Sequence, residues 1–233
     1  LQENFIATVS HDLRSPLGFI KGYATTLLRE DTKWDSSIRR EFLTIIDEEA
    51  DRLGELIDNL LDSSRLQAGT LSIDLQQLRI DTLLRDIIQR AIAGTYKLNI
   101  IPQTNFPKVL INGDSRRLVQ VFDNLFRNAD KYASGSLIKI SMDTTSERVL
   151  ITFQDFGPGI PEEHLEDIFK RFYRLPHHSN AGRGSGLGLY ICRKIIRAHG
   201  GEIYAKSKIG QGTAFFIDLP RVKNIDGYEE NEK

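Results

Sequence analysis

The sequence predicts an α+β chain in two parts: an N-terminal antiparallel helical hairpin that dimerises into a four-helix bundle, then a two-layer α/β sandwich with a mixed sheet. Three observations carry this. In the first 69 positions, apolar residues recur in steps of three and four along two long stripes. From Leu71 onward short runs alternate with a period of two. Those runs are interleaved with amphipathic helical stretches, the pattern of helices laid on a sheet.

The first stripe is Ile6, Val9, Leu13, Leu17, Ile20, Ala24 and Leu27, in a helix expected to reach about residue 29. His11 lies off it, roughly 200° from Val9 at about 100° per residue, so its ring is expected to face solvent. Pro16 removes the amide that would bond the Asp12 carbonyl and is expected to loosen or bend the helix one turn past the histidine. A polar connector over 30–36 contains Trp34, expected to cap the bundle end, with Asp35 or Ser36 as helix cap. The second stripe, Ile38, Phe42, Ile46, Ala50, Leu53, Ile57 and Leu60, ends near Gly69. Two helices cannot enclose both stripes, so a homodimer is expected.

In the second half, Leu71, Ile73 and Leu75 alternate as a short strand, and Asp81 is expected to cap a helix over 82–93 with Leu83, Leu84, Ile87 and Ile88 inward. A strand at 97–101, a short segment at 109–111 and a helix over 115–131 follow. Residues 138–142 and 150–154 form a hairpin turning through 144–147. A helix over 189–198 and a last hairpin, 202–206 with 213–219, complete this half. The expected domains are 1–69 and 70–222, with a charged, disordered tail at 223–233.

Thirty-one basic and thirty-two acidic side chains leave a net charge of −1, so no global field favours nucleic acid or an anionic membrane. The single cysteine, Cys192, excludes an internal disulfide and sits on a helical apolar face as a buried thiol. No apolar run approaches the ~20 residues of a membrane span. The expected location is the cytoplasm, with the chain continuing upstream, where any membrane anchor would lie.

Four stretches of the second half exceed what packing requires. Asn124, Asn128 and Lys131 share one helix face, and Asn is a poor interior helix residue. One amide oxygen, from Asn128, suffices for a magnesium ion that takes its other ligands from water and phosphates. Asp155, followed by the tight turn Gly157-Pro158-Gly159, is placed to accept from the amine of adenine; a turn cap is the plainer alternative. Gly182-Arg183-Gly184-Ser185-Gly186-Leu187-Gly188 opens a helix whose first amides can hold phosphates. Gly210-Gln211-Gly212-Thr213 is either a hairpin turn or a phosphate-side contact.

In order, SHDLRSPL, NLFRNADKY, DFGPGI, FKRFYR, GSGLGL and GQGTAFF resemble the motif regions of the bacterial sensor histidine kinases, over residues 4–220. The resemblance implies a dimerisation and phosphoacceptor hairpin followed by an ATP-binding domain of the type shared with gyrase and heat-shock chaperone ATPases. His11 would be the phosphorylated residue and Asp12 its acid–base neighbour. Asn128 would hold magnesium, Asn124 and Lys131 would lie toward the phosphates, Tyr132 against the nucleotide and Asp155 on the adenine. Phe169 and Phe172 would anchor a lid over 174–184. The glycine turns at Gly157, Gly159, Gly184, Ser185, Gly186, Leu187 and Gly188, with Thr213, would complete the ATP site. Arg183 stands where a glycine often precedes Gly184, which bears on loop geometry.

Related ATPases carry a water-activating glutamate four residues before the magnesium-binding Asn. Asn124 stands there in this chain, and a carboxamide is no base near neutral pH. The implied reaction is therefore autophosphorylation of His11 and transfer to an aspartate of a response-regulator receiver domain. An ATPase and an ATP-binding, non-transferring dimeric scaffold are the competing readings. Ser15, one turn after His11, takes the place of a Thr or Asn associated with orienting water for dephosphorylation of the regulator, so weak phosphatase activity is expected. Of the other histidines, His199 is expected to suit a helix C-terminus. His164 is expected at a helix start, and His177 and His178 in the lid.

Overall fold

The computed structural model describes residues 2–68, 72–175 and 185–222, with backbone alone for 2–8, 11, 67 and 95. Residues 176–184 of the lid expected over 174–184, with Gly184, His177 and His178, and the tail at 223–233 lie outside the described residues. The chain divides into two compact units: 1–71 with 182–188, and 72–181 with 189–233.

The first unit is a helical hairpin. Helix α1 (Gln2–Leu27) runs unbroken through Pro16, so the expected loosening does not interrupt it. Helix α2 (Ser36–Gln67) starts at Asp35, whose carboxylate accepts from the Ser37 amide at 2.9 Å and the Ser37 hydroxyl at 2.7 Å. Trp34 ties the two helices at the connector. Its Nε1 donates to the Thr26 carbonyl at 3.1 Å, and its ring meets Phe42, which also meets Tyr23. Trp34 thus closes the connector end of the hairpin.

The second unit is a helical layer on a five-stranded sheet. Its strands are β1 (Gln76–Arg79), β2 (Asn99–Pro102), β3 (Leu110–Gly113), β4 (Leu137–Thr144), β5 (Arg148–Asp155), β6 (Glu202–Lys208) and β7 (Gly212–Pro220). The large sheet has the order β2-β4-β5-β7-β6, in which β2 and β4 are parallel and the other pairs antiparallel; β1 and β3 form a separate antiparallel pair. Alternation buries Ile138, Ile140 and Met142 of β4, Val149, Ile151 and Phe153 of β5, and Phe215, Ile217 and Leu219 of β7 on one face. Helices α3 (Ile80–Arg90), α4 (Ser115–Tyr132) and α5 (Gly188–Ala198) bury Leu84, Ile87, Leu118, Phe122, Phe126, Ile191 and Ile195. Phe126 of α4 meets Phe153 of β5 edge-on at 5.0 Å, which marks the middle of the core.

Two expectations are corrected. The run through Leu75 is not the strand: residues 72–75 are irregular, Leu75 is half exposed, and pairing starts at Gln76 opposite Gly113. The helix starts at Ile80, with Arg79 in the cap position and no side-chain cap bond, and it gives way after Arg90 to a π-helical turn, Ala91–Thr95, at Gly94 (φ 111°). Asp81 is therefore not a cap. It lies fully buried in the first turn, where it accepts from Arg79 Nε and Nη2 at 2.8 Å each and from the Val109 amide at 3.2 Å.

Candidate active site

His11, Asp12 and Ser15 all lie in α1 of the first unit; Asp12 and Ser15 are half-buried. Ser185, Gly186 and Leu187 lead into Gly188, the first residue of α5; this stretch groups with the first unit, and Gly186 takes φ 65°. Every other described candidate belongs to the second unit.

Within that unit, α4 presents a graded face. Asn124 is buried, Asn128 and Lys131 are half-buried, and Tyr132 is 41% exposed at the last turn. The Asn128 side chain makes no hydrogen bond with the described residues, while its backbone lies within the α4 ladder. Lys131 Nζ lies 4.7 Å from the centre of the Tyr132 ring.

The end of β5 meets the end of α4. A Cβ added at Gly157 would collide with that of Ala133, the residue that caps α4, so glycine is required for this approach. Gly159 (φ 77°) has the carbonyl of Lys208 where a Cβ would go, and Gly212 (φ 88°) has that of Asp155. The turn after β5 is thus held against both α4 and the β6–β7 hairpin. Further bonds close the join: the Gly210 amide donates to the Pro158 carbonyl at 2.7 Å, and the Ile160 amide to Ser207 Oγ at 2.8 Å. Ser207 in turn donates to the Gly212 carbonyl at 2.7 Å and lies 3.0 Å from Thr213 Oγ1.

Asp155 sits at the centre of this join and is 7% exposed. Its Oδ1 accepts from the amides of Gly157 at 3.0 Å and Thr213 at 3.3 Å, and Oδ2 takes no hydrogen bond from the described residues. Burial pushes its carboxyl above the ordinary value of 3.8, and the two amides offset only part of the rise. A buried acceptor with one oxygen uncommitted is suited to a ligand N–H donor. Residues 209–211 turn between β6 and β7, Gly212 and Thr213 already pair with Lys208 and Ser207 as strand residues, and Thr213 contributes its amide to Asp155.

Phe169 is buried edge-on to Phe215 of β7, with Arg193 of α5 over its ring at 5.1 Å. Phe172 adopts φ 64°, the left-handed region that a bulky side chain rarely takes, with Arg171 4.6 Å above its ring. Sequence reasoning missed Tyr173, whose hydroxyl lies 2.7 Å from His164 Nδ1; His164 ends a short 3₁₀ turn, Glu162–His164, rather than starting a helix. It also missed Ser207, a hydroxyl three residues before Gly210. His199 is buried: Nδ1 donates to the Ile195 carbonyl at 2.8 Å and Nε2 accepts from the Asp114 amide at 2.9 Å. That pairing requires an unprotonated Nε2, so His199 contributes bonds here rather than a positive charge to the helix end.

A helical hairpin carrying an HD-L-RSP sequence, joined to a helix-on-sheet unit with an Asn-rich α4 and a clamped Asp-Gly turn, defines a histidine kinase core. The comparisons agree. The His Kinase A (phospho-acceptor) domain matches residues 1–69, and the histidine kinase-, DNA gyrase B-, and HSP90-like ATPase family matches residues 113–223. The chain belongs to the bacterial sensor histidine kinases. It is similar to sensor protein SrrB of Staphylococcus aureus (strain NCTC 8325 / PS 47), 36% identical over 226 residues, covering 95% of this chain and 38% of that protein. The chain thus spans well under half the length of the curated relatives it matches. Among solved structures, the Acinetobacter baumannii histidine kinase AdeS shares the fold at a TM-score of 0.69 and 23% identity, covering 92% of this chain and 98% of that one. Full-length ShkA in complex with AMPPNP matches at 0.62 and 29%, covering 95% of this chain and 46% of that one. No helix among the described residues is long and apolar enough to cross a membrane.

Proposed function

We propose that the chain phosphorylates itself on His11 from ATP and passes the phosphoryl group to an aspartate of a response-regulator receiver domain. The observation that carries this is Asn124. It is buried on the α4 face that leads to Asn128, and a carboxamide there leaves water without a base. The phosphoryl group then goes to a better nucleophile, the neutral imidazole of His11, with Asp12 orienting the ring and stabilising the charge it gains.

Asp155 Oδ2 accepts from the adenine amine, Tyr132 lies against the nucleotide, and Lys131 and the Ser185–Gly188 amides face its phosphates. Phe169 and Phe172 hold the base of the lid. The Asn128 carboxamide, half-buried and without a hydrogen bond to the described residues, fits a magnesium ligand. Bound magnesium would neutralise charge on the phosphates. The working unit is a homodimer: Leu17, Leu43 and Leu61 of the hairpin are each at least half exposed, and pairing two hairpins covers such faces. Domain 1–69 serves as acceptor and 70–222 as nucleotide domain.

Incubation with γ-labelled ATP tests the reading. Acid-labile, base-stable label is expected on the wild-type chain and none on His11→Gln, with ATP affinity nearly unchanged in that variant. Phosphate release without protein label would show an ATPase, and binding with neither would show a scaffold. Ser15 orients water for regulator dephosphorylation: Ser15→Ala should slow the decay of purified phospho-regulator and Ser15→Thr should speed it. Equal decay in all three would remove that role.

A further inference from the structure

Cys192 is the chain's single cysteine, and no step above uses it. It is fully buried on the inner face of α5, and its thiol points at α4, donating to the Val121 carbonyl at 3.7 Å. Val121 and Asn124 are three residues apart and lie on one face of α4. Asn124 is only 9% exposed, and its Nδ2 meets no acceptor in hydrogen-bond geometry. A buried amide donor in that situation needs an account.

The thiol supplies it. The sulfur faces the turn of α4 that carries both Val121 and Asn124; burial pushes Cys192 up to about 12, and the Asn124 side chain opposes part of that rise. The sulfur keeps its proton for Val121 and has lone pairs left for Asn124.

We propose that Cys192 is a positioning residue for the phosphate end of the nucleotide site: its sulfur is the polar surface against which the Asn124 amide rests, and this fixes the rotamer of that carboxamide. The inference rests on the kinase reading given above. It makes a prediction that packing alone reverses. Val matches the bulk and apolarity of Cys but offers no acceptor, whereas Ser keeps a donor and an acceptor at the cost of a polar atom in the core. If Cys192 only fills space, Cys192→Val is harmless and Cys192→Ser is the damaging change. If it positions Asn124, the order inverts.

The test uses the whole chain, wild type, Cys192→Val and Cys192→Ser, each with Asn124 intact and with Asn124→Ala. Label formation on His11, affinity for a fluorescent ATP analogue and the melting temperature without nucleotide are measured. Cys192→Val should lose on the order of tenfold in kcat for labelling, with a smaller change in KM, and Cys192→Ser should restore most of it. In the Asn124→Ala background the two should be equal, and the melting temperatures should show the same coupling. Full activity in Cys192→Val, or a Cys192→Val deficit that persists after Asn124→Ala, would overturn the proposal. Absence of label on the wild-type chain would instead sink the kinase reading, and the coupling in melting temperature would still decide whether the sulfur and the amide act together.

Discussion

The backbone amide of Asp114 donates to Nε2 of His199 across 2.9 Å, joining the residue that caps α4 to the residue that follows α5. The join is a small network. Asp114 Oδ1 accepts from the amides of Arg116 and Arg117, its Oδ2 accepts from the Asp74 amide, and His199 Nδ1 donates back to the Ile195 carbonyl. One ring thus fixes the spacing of the two helices that carry the nucleotide-site motifs.

Replacing His199 with Leu leaves the half-buried Asp114 amide without its acceptor, which should cost about 1 kcal/mol. Far-UV circular dichroism in urea should show the loss. The chain's one tryptophan, Trp34, lies in the helical hairpin, so its fluorescence transition should stay in place. An unchanged dichroism midpoint would show that the ring bonds contribute nothing net.

Asp81 gives a second prediction, with a pH sign. Burial alone would raise its carboxyl, but the hydrogen bonds from Arg79 and the Val109 amide, with the Arg79 charge, outweigh this and hold it below the ordinary 3.8. A depressed folded value means stabilisation that is present above 3.8 and is lost as pH falls through the depressed value. Asp81→Ala strands the paired groups and should cost about 3 kcal/mol near neutral pH. Against wild type, the gap in urea midpoint should shrink as pH is lowered past that window; a constant gap would contradict the assignment.

These two residues also show what the sequence can and cannot carry. The helices expected at 115–131 and 189–198 were legible because a helical repeat is written in neighbouring positions, and the structure places them at Ser115–Tyr132 and Gly188–Ala198. The glycines around Asp155 stood out because they recur where helix and strand periodicity has no use for them, and close backbone approach at Gly157, Gly159 and Gly212 is the reason they are there. Asp81 was misread because a carboxylate ahead of an apolar helix looks like a cap; it pairs instead with Arg79 just before it and with the Val109 amide, which is 28 residues away. His199 and Asp114 are 85 residues apart. The strand at 71–75 failed differently: Leu75 continues the alternation but has no face to bury, and β3 pairs with the four residues after it.

Glycine substitutions separate conformational strain from collision. Gly212 and Gly210 both have positive φ, at 88° and 76°, yet an added methyl at Gly212 strikes the Asp155 carbonyl while one at Gly210 meets nothing within 4 Å. Gly210→Ala should cost about 1 kcal/mol from backbone strain alone. Gly212→Ala must also push the Asp155 turn away and should abolish detectable ATP-analogue binding. Equal binding by the two variants would remove the clamp described for this turn.

Asp155 sets stability against binding. Its carboxyl is raised above 3.8 by burial, so the stability it lends the ligand-free fold is present at and below that value and is lost as pH rises through the raised one. Near neutral pH the ionised side chain is therefore a burden that Asn does not carry. Asp155→Asn keeps a carbonyl oxygen to accept from Gly157 and Thr213, and the melting temperature of the nucleotide-free chain should hold or rise. The other position becomes an NH₂, which cannot accept from the adenine amine and faces it donor to donor. Binding should then weaken by roughly a hundredfold, about 3 kcal/mol for a lost hydrogen bond to a charged group with a mispaired donor in its place. Titration with ATP, alongside thermal melts across pH 3 to 8 of both proteins, checks the two halves together. Weaker binding with a lowered melting temperature would mean that Asp155 serves the fold first, and unaltered binding would mean that the adenine lies elsewhere.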